Sequence, residues 1–267
     1  MKSFLGLDGK KILIFGISNR KSVAYHIAKI LLDEGASIIA SVQTEDQASA
    51  VKKLLPGVPA YVCDFCNDER MAAEAAEIKA DFGSIYGMVH SVAFANFAGG
   101  MKPFHSTSRK DFLQAVDISC WSFIKLADLY KDFIEKNGSM VTISISTSRM
   151  AAESYGFMAP AKAALDSSIC FLAKSLSDPY GIRVNGVGAG LLKTSSSAGI
   201  PGYIEPYLFA EKATLRKRAL ETEEVASVAA FLMSPRSSGI NAQTLVVDAG
   251  MSTNYFDREI VSKAVSP

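Results

Sequence analysis

Apolar residues fall in two alternating patterns along the chain. Short runs rich in β-branched residues read as strands: Lys11–Phe15 (KILIF), Ser37–Val42 (SIIASV), Ala60–Cys63, Ile85–Ser91 (IYGMVHS), Met140–Ile145 (MVTISI), Arg183–Val187 and Leu245–Val247. Between them the spacing is helical. Val23, Ile27, Ile30 and Leu31 share one face ahead of a stop at Gly35. A long amphipathic stretch runs from Asp111 through Val116, Trp121, Phe123, Leu126 and Phe133 to the stop signal Asn137-Gly138. Leu165, Ile169, Leu172 and Leu176 form another stripe, and a last helix is predicted from about Thr222 to Met233. This alternation predicts an α/β protein, with a single Rossmann-type, doubly wound, mainly parallel sheet of about seven strands and helices on both faces. No repeat, linker or low-complexity tract divides the chain, so residues 1–267 are read as one domain. The stretch Leu191–Tyr207, rich in Ser, Gly and Pro, is expected to form a lid loop near 191–210.

Composition narrows the function. At 267 residues, 49% hydrophobic and a formal charge of +1, the chain can bury a sizeable core and has no basic footprint for nucleic acid or an anionic membrane surface. No apolar run reaches the ~18 residues that span a bilayer, and Met1–Lys10 does not resemble a signal peptide, so a cytoplasmic protein is expected. The four cysteines are too few for a disulfide framework. Cys63 and Cys66 have C-x-x-C spacing, but no second such pair follows and His26, His90 and His105 are scattered. Ordinary thiols and no metal are expected.

Candidate chemistry centres on Ser154–Lys162. Tyr155 and Lys162, nearly two helical turns apart, fall on the stripe continued by Leu165 and Ile169. A buried ammonium beside a phenol favours phenolate and yields an acid usable near neutrality; a chance pair with a lysine snorkelling to water is the plainer alternative. After the first strand comes Gly16-Ile17-Ser18-Asn19-Arg20-Lys21-Ser22 and then a helix, a geometry that offers free amides to a dinucleotide's pyrophosphate. The G-x-G-x-x-G fingerprint is absent, with Ser22 and Ala24 where further glycines would be sought. Neutral Gln43 closes the second strand with no Arg after it, which favours NADH over NADPH. Asp64 either accepts from an adenine amino group or caps the helix that begins near Asn67 or Asp68.

The first glycine loop, Asp64, the order Ser144, Tyr155, Lys162 and the terminal Val247-Asp248-Ala249-Gly250 together resemble the short-chain dehydrogenase/reductases, over about residues 5 to 255. Within them the chain is most similar to the bacterial enoyl-acyl-carrier-protein reductases of the FabI type. The residues that carry this are Gly16-Ile17-Ser18 with Ser22-Val23-Ala24, Cys63-Asp64, the run from Val89 to Ala95, Asp117-Ile118-Ser119, Tyr155-x-x-Met158-x-x-Ala161-Lys162-Ala163, Gly181–Asn185, Ala189-Gly190 and Thr194. The resemblance implies NADH as hydride donor, a trans-2-enoyl thioester on acyl carrier protein or coenzyme A as acceptor, and a homotetramer. It makes Tyr155 the donor to the thioester oxygen, Lys162 the group on the nicotinamide ribose, and Ser144 a third catalytic residue. Gly16, Ser18, Ser22, Val23, Gln43, Asp64, Phe65, Ser91, Ala93, Lys162, Gly190, Leu192 and Thr194 would line the cofactor, and Ala95, Ile145 and Tyr155 the substrate. Ile145 departs from the aromatic residue usual at its position, Pro160 is unusual near the lysine, and VDAG replaces the common VDGG. A change of substrate is therefore easier to accommodate than a change of cofactor. A carbonyl reductase or alcohol dehydrogenase using Ser144 (or Ser146), Tyr155 and Lys162 is the rival reading, and a non-catalytic NAD-binding protein the remote one.

Overall fold

The computed structural model describes residues 4–100, 102–153 and 157–266; Tyr155 lies outside them. A seven-stranded sheet of order β3-β2-β1-β4-β5-β6-β7 forms the middle layer, with every neighbouring pair parallel. Its strands are β1 (Lys11–Phe15), β2 (Ser37–Val42), β3 (Ala60–Val62), β4 (Ile85–His90), β5 (Ile134–Ile145), β6 (Arg183–Ala189) and β7 (Thr244–Val247). Because β1 pairs with both β2 and β4, the winding reverses between them, and a crevice opens at the carboxyl ends of the strands. The chain is a Rossmann-like α/β fold with helices on both faces.

One core lies under α1 (Val23–Asp33), α2 (Glu45–Leu54) and α9 (Thr222–Met233), filled by Ile12, Ile14, Ile27, Leu31, Val225 and Leu232 among others. The opposite core lies under α3 (Asp68–Phe82), α5 (Ser122–Tyr130) and α6 (Met158–Tyr180), around Leu13, Phe15, Phe123, Tyr130, Leu165 and Ile169. Both faces of the central strands are thus covered. That is why these strands read as continuous apolar runs and not as alternating ones.

Four expectations need correction. The stretch from Asp111 is not one helix ending at Asn137-Gly138: α4 (Arg109–Val116), a five-residue π-helical segment (Asp117–Trp121) and α5 follow one another and stop at Tyr130. Asn137 and Gly138 instead sit inside β5, in an irregularity where the register jumps from Ile85↔Ile134 to Gly87↔Ser139. Asn137 takes φ 66°, and a Cβ on Gly138 would meet the Tyr86 carbonyl at 2.4 Å. These are turn residues used as a bulge. The 191–210 stretch is partly helical, with α7 (Ser195–Ala198) and α8 (Ile204–Ala213). The helix to Met233 is not the last, since α10 (Arg258–Val265) follows, started by Asp257, whose Oδ1 accepts from Glu259 N and Ile260 N. Finally, Asn67, not Asp64, caps α3, accepting from Arg70 N at 2.9 Å.

Two sequence departures have local physical explanations. Pro160 falls in the first turn of α6, where backbone N–H groups lack intrahelical partners, so its missing donor is harmless. Ala249 sits at φ 52°, where glycine would be relaxed and an L side chain is strained by about 1 kcal/mol. Among the described residues no helix is long and apolar enough to cross a membrane, and no cluster of His, Cys, Asp or Glu could hold a metal ion. Cys63 is a buried free thiol, raised by burial, and Cys66 an exposed one.

Glu74 is an unexpected feature. Fully buried on α3 under β2 and β3, its two carboxylate oxygens have no hydrogen bond of normal geometry among the described residues, although Ser41 and Cys63 lie beside it. Burial raises its pKa above the ordinary carboxylate value, and the neighbouring Ser41, Cys63 and Arg70 only temper this. The folded chain therefore holds the Glu74 proton more tightly than the unfolded one, so stability falls as pH rises from the unfolded value of about 4.3 through the raised folded value. Glu74→Gln is expected to gain stability over the wild type on going from pH 4 to pH 8 in urea melts. A stability difference that is flat with pH would contradict this.

Candidate active site

The crevice at the strand ends is first shaped by Gly16. Its φ is +94°, and a Cβ there would lie 2.3 Å from the carbonyl oxygen of Ser91, so β1 and β4 can meet only around a glycine. The loop to α1 is held from within: Asn19 O accepts from Ser22 N (3.1 Å) and Ser22 Oγ (2.8 Å), Asn19 Oδ1 accepts from Lys21 N (2.9 Å), and Ser22 Oγ caps the helix at Tyr25 N. These bonds use the amides of Lys21, Ser22 and Tyr25. No bond among the described residues takes those of Val23 and Ala24, the first two of an eleven-residue helix with no acidic side chain in its first turn. Free amides, a helix dipole and no competing carboxylate make an anion site. A pyrophosphate group fits this cradle.

Further along the same edge, Gln43 is exposed at the end of β2, with Glu45 and Asp46 in the first turn of α2. Asp64 is exposed beyond β3 and accepts from Cys66 N at 3.0 Å through Oδ1, a local turn that fixes its carboxylate at the crevice. Phe65 turns away from the crevice into the core, edge-on to Phe15 with centroids 5.8 Å apart, so only its backbone can meet a cofactor.

At the centre lies Lys162, one turn into α6 and 3% exposed. Its ammonium donates to Ile143 O at 2.8 Å and to Val92 O at 3.4 Å, tying α6 to the ends of β5 and β4. Burial lowers its pKa from the ordinary lysine value to about 8, with Asp166 and Cys120 opposing the shift. His90 lies in the same layer, fully buried, between Thr142 Oγ1 (2.8 Å) and Ser122 Oγ (2.9 Å). Ser122 gives its own proton to Ile118 O (2.6 Å), so it must accept from His90 Nε2, and Nδ1 must accept from Thr142. The ring is thus neutral, and burial followed by the Lys162 charge lowers its pKa well below the usual histidine range.

The π-helical segment and the first residue of α5 after it each place a hydroxyl on a partner across the layer. Ser119 Oγ pairs with both the N–H (3.1 Å) and the carbonyl (3.3 Å) of Phe94, pinning the strand-four exit loop, while Ser122 serves His90. At the end of β5, Ser144 Oγ and, in the turn just beyond the strand, Ser146 Oγ are buried without a hydrogen-bond partner among the described residues. A cleft with an anion cradle, a lysine at its floor and unsatisfied hydroxyls beside it points to a dinucleotide and a carbonyl-bearing substrate.

Comparison with known proteins agrees. The family profile described as "Enoyl-(Acyl carrier protein) reductase" matches residues 16–252. This chain belongs to the enoyl-acyl-carrier-protein reductase family. It is 34% identical to the NADPH enoyl-acyl-carrier-protein reductase FabI of Staphylococcus aureus (strain MRSA252), over 92% of this chain and 98% of that protein. It is 33% identical to the NADH enzyme FabI of Enterococcus faecalis, with the same shares covered. The crystal structure of the Aquifex aeolicus NADH enzyme superposes with a TM-score of 0.89 at 30% identity, covering 94% of this chain and 99% of that one. The Bacillus cereus enzyme with NADP+ and an indole naphthyridinone superposes with a TM-score of 0.87 at 32% identity, covering 91% and 96%.

Seen as a member of this family of oxidoreductases, the chain brings Gly16, Ser18, Ser22, Val23, Gln43, Asp64, Ser91, Ala93, Ala95, Ser144, Ile145 and Lys162 to one edge of the sheet. Gly190 is a glycine for packing, because a Cβ there would come within 2.9 Å of Asp248 Cβ. Leu192 is buried, and its carbonyl accepts from Ser197 Oγ (2.8 Å) and Tyr203 OH (2.9 Å), while Thr194 caps α7. Sequence reasoning missed Asn19, whose Oδ1 accepts from Ser195 Oγ (3.0 Å) and joins the first loop to α7 across the crevice. It also missed the structural roles of Ser119 and Ser122, for which a break in helical periodicity at Asp117–Trp121 was the available signal. Gly16→Ala is expected to lower the melting temperature and weaken NADH binding about tenfold or more by calorimetry, since the added methyl must displace Ser91 and strain the loop. An unchanged Kd would contradict the cradle.

Proposed function

We propose that this chain reduces the C2–C3 double bond of a trans-2-enoyl thioester carried on acyl carrier protein, with NADH as donor, in an assembly of four copies. The observation that carries the reading is the buried Lys162 at the junction of the strand-four and strand-five ends, facing an amide cradle shaped for a dinucleotide, in a chain of the enoyl reductase family. The cofactor supplies a hydride and its two electrons. Lys162 has three donors, and with two directed at Ile143 O and Val92 O the third is left to hold ribose hydroxyls and to project positive charge toward the reacting oxygen. As C3 gains hydride, the double-bond electrons shift toward C1 and the thioester oxygen becomes an enolate. Tyr155, three residues before the start of α6, is the donor proposed for that oxygen, with its phenol biased by Lys162. Protonation at C2 from solvent completes the saturated thioester.

NADH is preferred over NADPH because Gln43 is neutral and exposed, and Glu45 and Asp46 stand in the following turn, where a 2′-phosphate would meet two carboxylates. Association is supported by apolar side chains left outside: Phe171 on α6 is 75% exposed and Val246 on the edge strand β7 is 55% exposed.

Loss of NADH absorbance with crotonyl or longer trans-2-enoyl thioesters tests the reading, beside the same assay with NADPH and with β-ketoacyl thioesters. Enoyl turnover with NADH at least about tenfold above NADPH, and a fall of about 100-fold or more in Tyr155→Phe, is expected. Turnover of ketones alone would move the protein to the carbonyl reductases, for which the free hydroxyls of Ser144 and Ser146 would serve.

A further inference from the structure

Beyond Ala95 the exit loop of β4 folds against the start of α4 and against Phe157, the residue before α6, and a pocket opens between them. One wall is aromatic. The rings of Phe97 and Phe157 stack with centroids 5.7 Å apart and 22° between their planes, and Ala95, Ala115 and Ala161 belong to the same cluster. The remaining lining is polar, with Asn96, Lys102, Ser106 and Asp111 among it. The Lys102 ammonium stands over Gly99, where an added Cβ would meet Nζ at 3.6 Å. Asn96 follows Val92 by four residues, so it lies within about 15 Å of the carbonyl that accepts from Lys162, however extended the loop.

The pocket's rim is positive. Lys102, Arg109 and Lys110 are exposed, none of the three side chains has an ion pair or hydrogen bond among the described residues, and the sequence holds no carboxylate between Asp81 and Asp111. The first two amides of α4, those of Arg109 and Lys110, are also free, because Ser108 Oγ accepts from Asp111 N (3.4 Å) and Ser108 O from Phe112 N (3.0 Å). Inside this rim stands one acid: Asp111 Oδ1 accepts from Asn96 Nδ2 at 3.0 Å, which leaves Oδ2 to accept from a ligand. A small bare anion would be repelled by Asp111, and a plain alkyl chain would strand the polar lining without partners. A ligand with a phosphate at its outer end, amide N–H groups along it and a branched apolar carbon meets all three features. The arm that tethers acyl thioesters has this composition: two amides, a dimethyl-substituted carbon and then a phosphate follow the sulfur. Extended, it spans roughly 16 Å by ordinary bond lengths, enough to run from a thioester beside Lys162 to the rim.

We infer that this pocket is the subsite for the phosphopantetheine arm of the substrate, with the phosphate at Lys102 and the first turn of α4, an amide N–H on Asp111, and the dimethyl carbon against Phe97 and Phe157. The inference rests on the enoyl reductase reading above and deepens it. Acyl carrier protein and coenzyme A share this arm, so the pocket reads either.

Steady-state kinetics with the crotonyl group on acyl carrier protein, on coenzyme A, on pantetheine 4′-phosphate and on N-acetylcysteamine, which keeps only the first amide of the arm, test it in wild type, Lys102→Ala and Lys102→Glu. The ratio of kcat/KM for each phosphate-bearing thioester to that for the N-acetylcysteamine thioester is expected to fall about fivefold in Lys102→Ala and about tenfold or more in Lys102→Glu, mainly through KM. Both variants should melt with the wild type, since Lys102 is exposed and unpaired. Unchanged ratios would overturn the assignment. So would a loss confined to the carrier protein, which would make the rim a contact for that protein's surface, or one confined to coenzyme A, which would make it a contact for the nucleotide. A wild type that turns over no enoyl thioester removes the underlying reading; binding of pantetheine 4′-phosphate by calorimetry then decides the pocket separately, with weaker binding in Lys102→Glu supporting it and no binding to the wild type overturning it.

Discussion

The site depends on burying one ammonium. Lys162 is taken almost wholly out of water, which for a lone charge costs several kcal/mol, and the fold offsets this with the carbonyls of Ile143 and Val92. Those carbonyls are free for a lysine because they lie at the carboxyl ends of β5 and β4, where the sheet ladder runs out. The same position holds the exit loop of β4, itself pinned by Ser119 from the π-helical segment. A change in that segment's register would therefore reach Lys162 through Val92 without touching it. The neutral tautomer of His90 fits this arrangement: a second buried cation beside the first would be repelled, and Thr142 and Ser122 satisfy the ring without a charge.

The nucleotide half is built from backbone and not from charged side chains. Gly16 lets β1 and β4 converge, Ser22 ends the loop as a cap, and the first amides of α1 face the crevice. This explains how a chain without G-x-G-x-x-G can keep the binding geometry: the second and third glycines matter only where a side chain would collide, and here Ser22 serves as the cap while Ala24 is small enough to pack. Asn19 and Ser195 join this loop to α7, so the segment beyond β6 closes over the same cleft that the loop floors.

Much of this was readable from residues alone. Strand positions and helix α1 followed from continuous apolar runs and 3.6-residue spacing, because both sheet faces are covered. What failed were the places where tertiary contacts override local signals. Asn137-Gly138 has the composition of a helix stop, yet it serves as a bulge because Tyr86 lies too close for a Cβ. The lid stretch contains helical segments because Thr194 caps α7 and α8 has an apolar side against Met251. Asp64 looked equally able to cap a helix or to meet a base; the cap fell to Asn67, three residues on. Phe65, which the family resemblance places beside the cofactor, turns its ring into the core next to Phe15 and leaves its backbone as the part that faces the crevice, a division no sequence shows. The two orphan hydroxyls of Ser144 and Ser146, at and just beyond the end of β5, could not be read from sequence, since satisfaction of a hydrogen bond is a property of three-dimensional surroundings.

The claim that a desolvated ammonium at Lys162 organises the site is tested most directly by the pH dependence of kcat/KM for NADH, which reports groups of the free enzyme. With Lys162 lowered to about 8, the profile should fall as pH rises through that value, because the unprotonated amine no longer projects charge, and Lys162→Arg should shift the fall upward beyond the range studied. A wild-type profile flat to well above pH 9, or an identical fall in Lys162→Arg, would contradict the account.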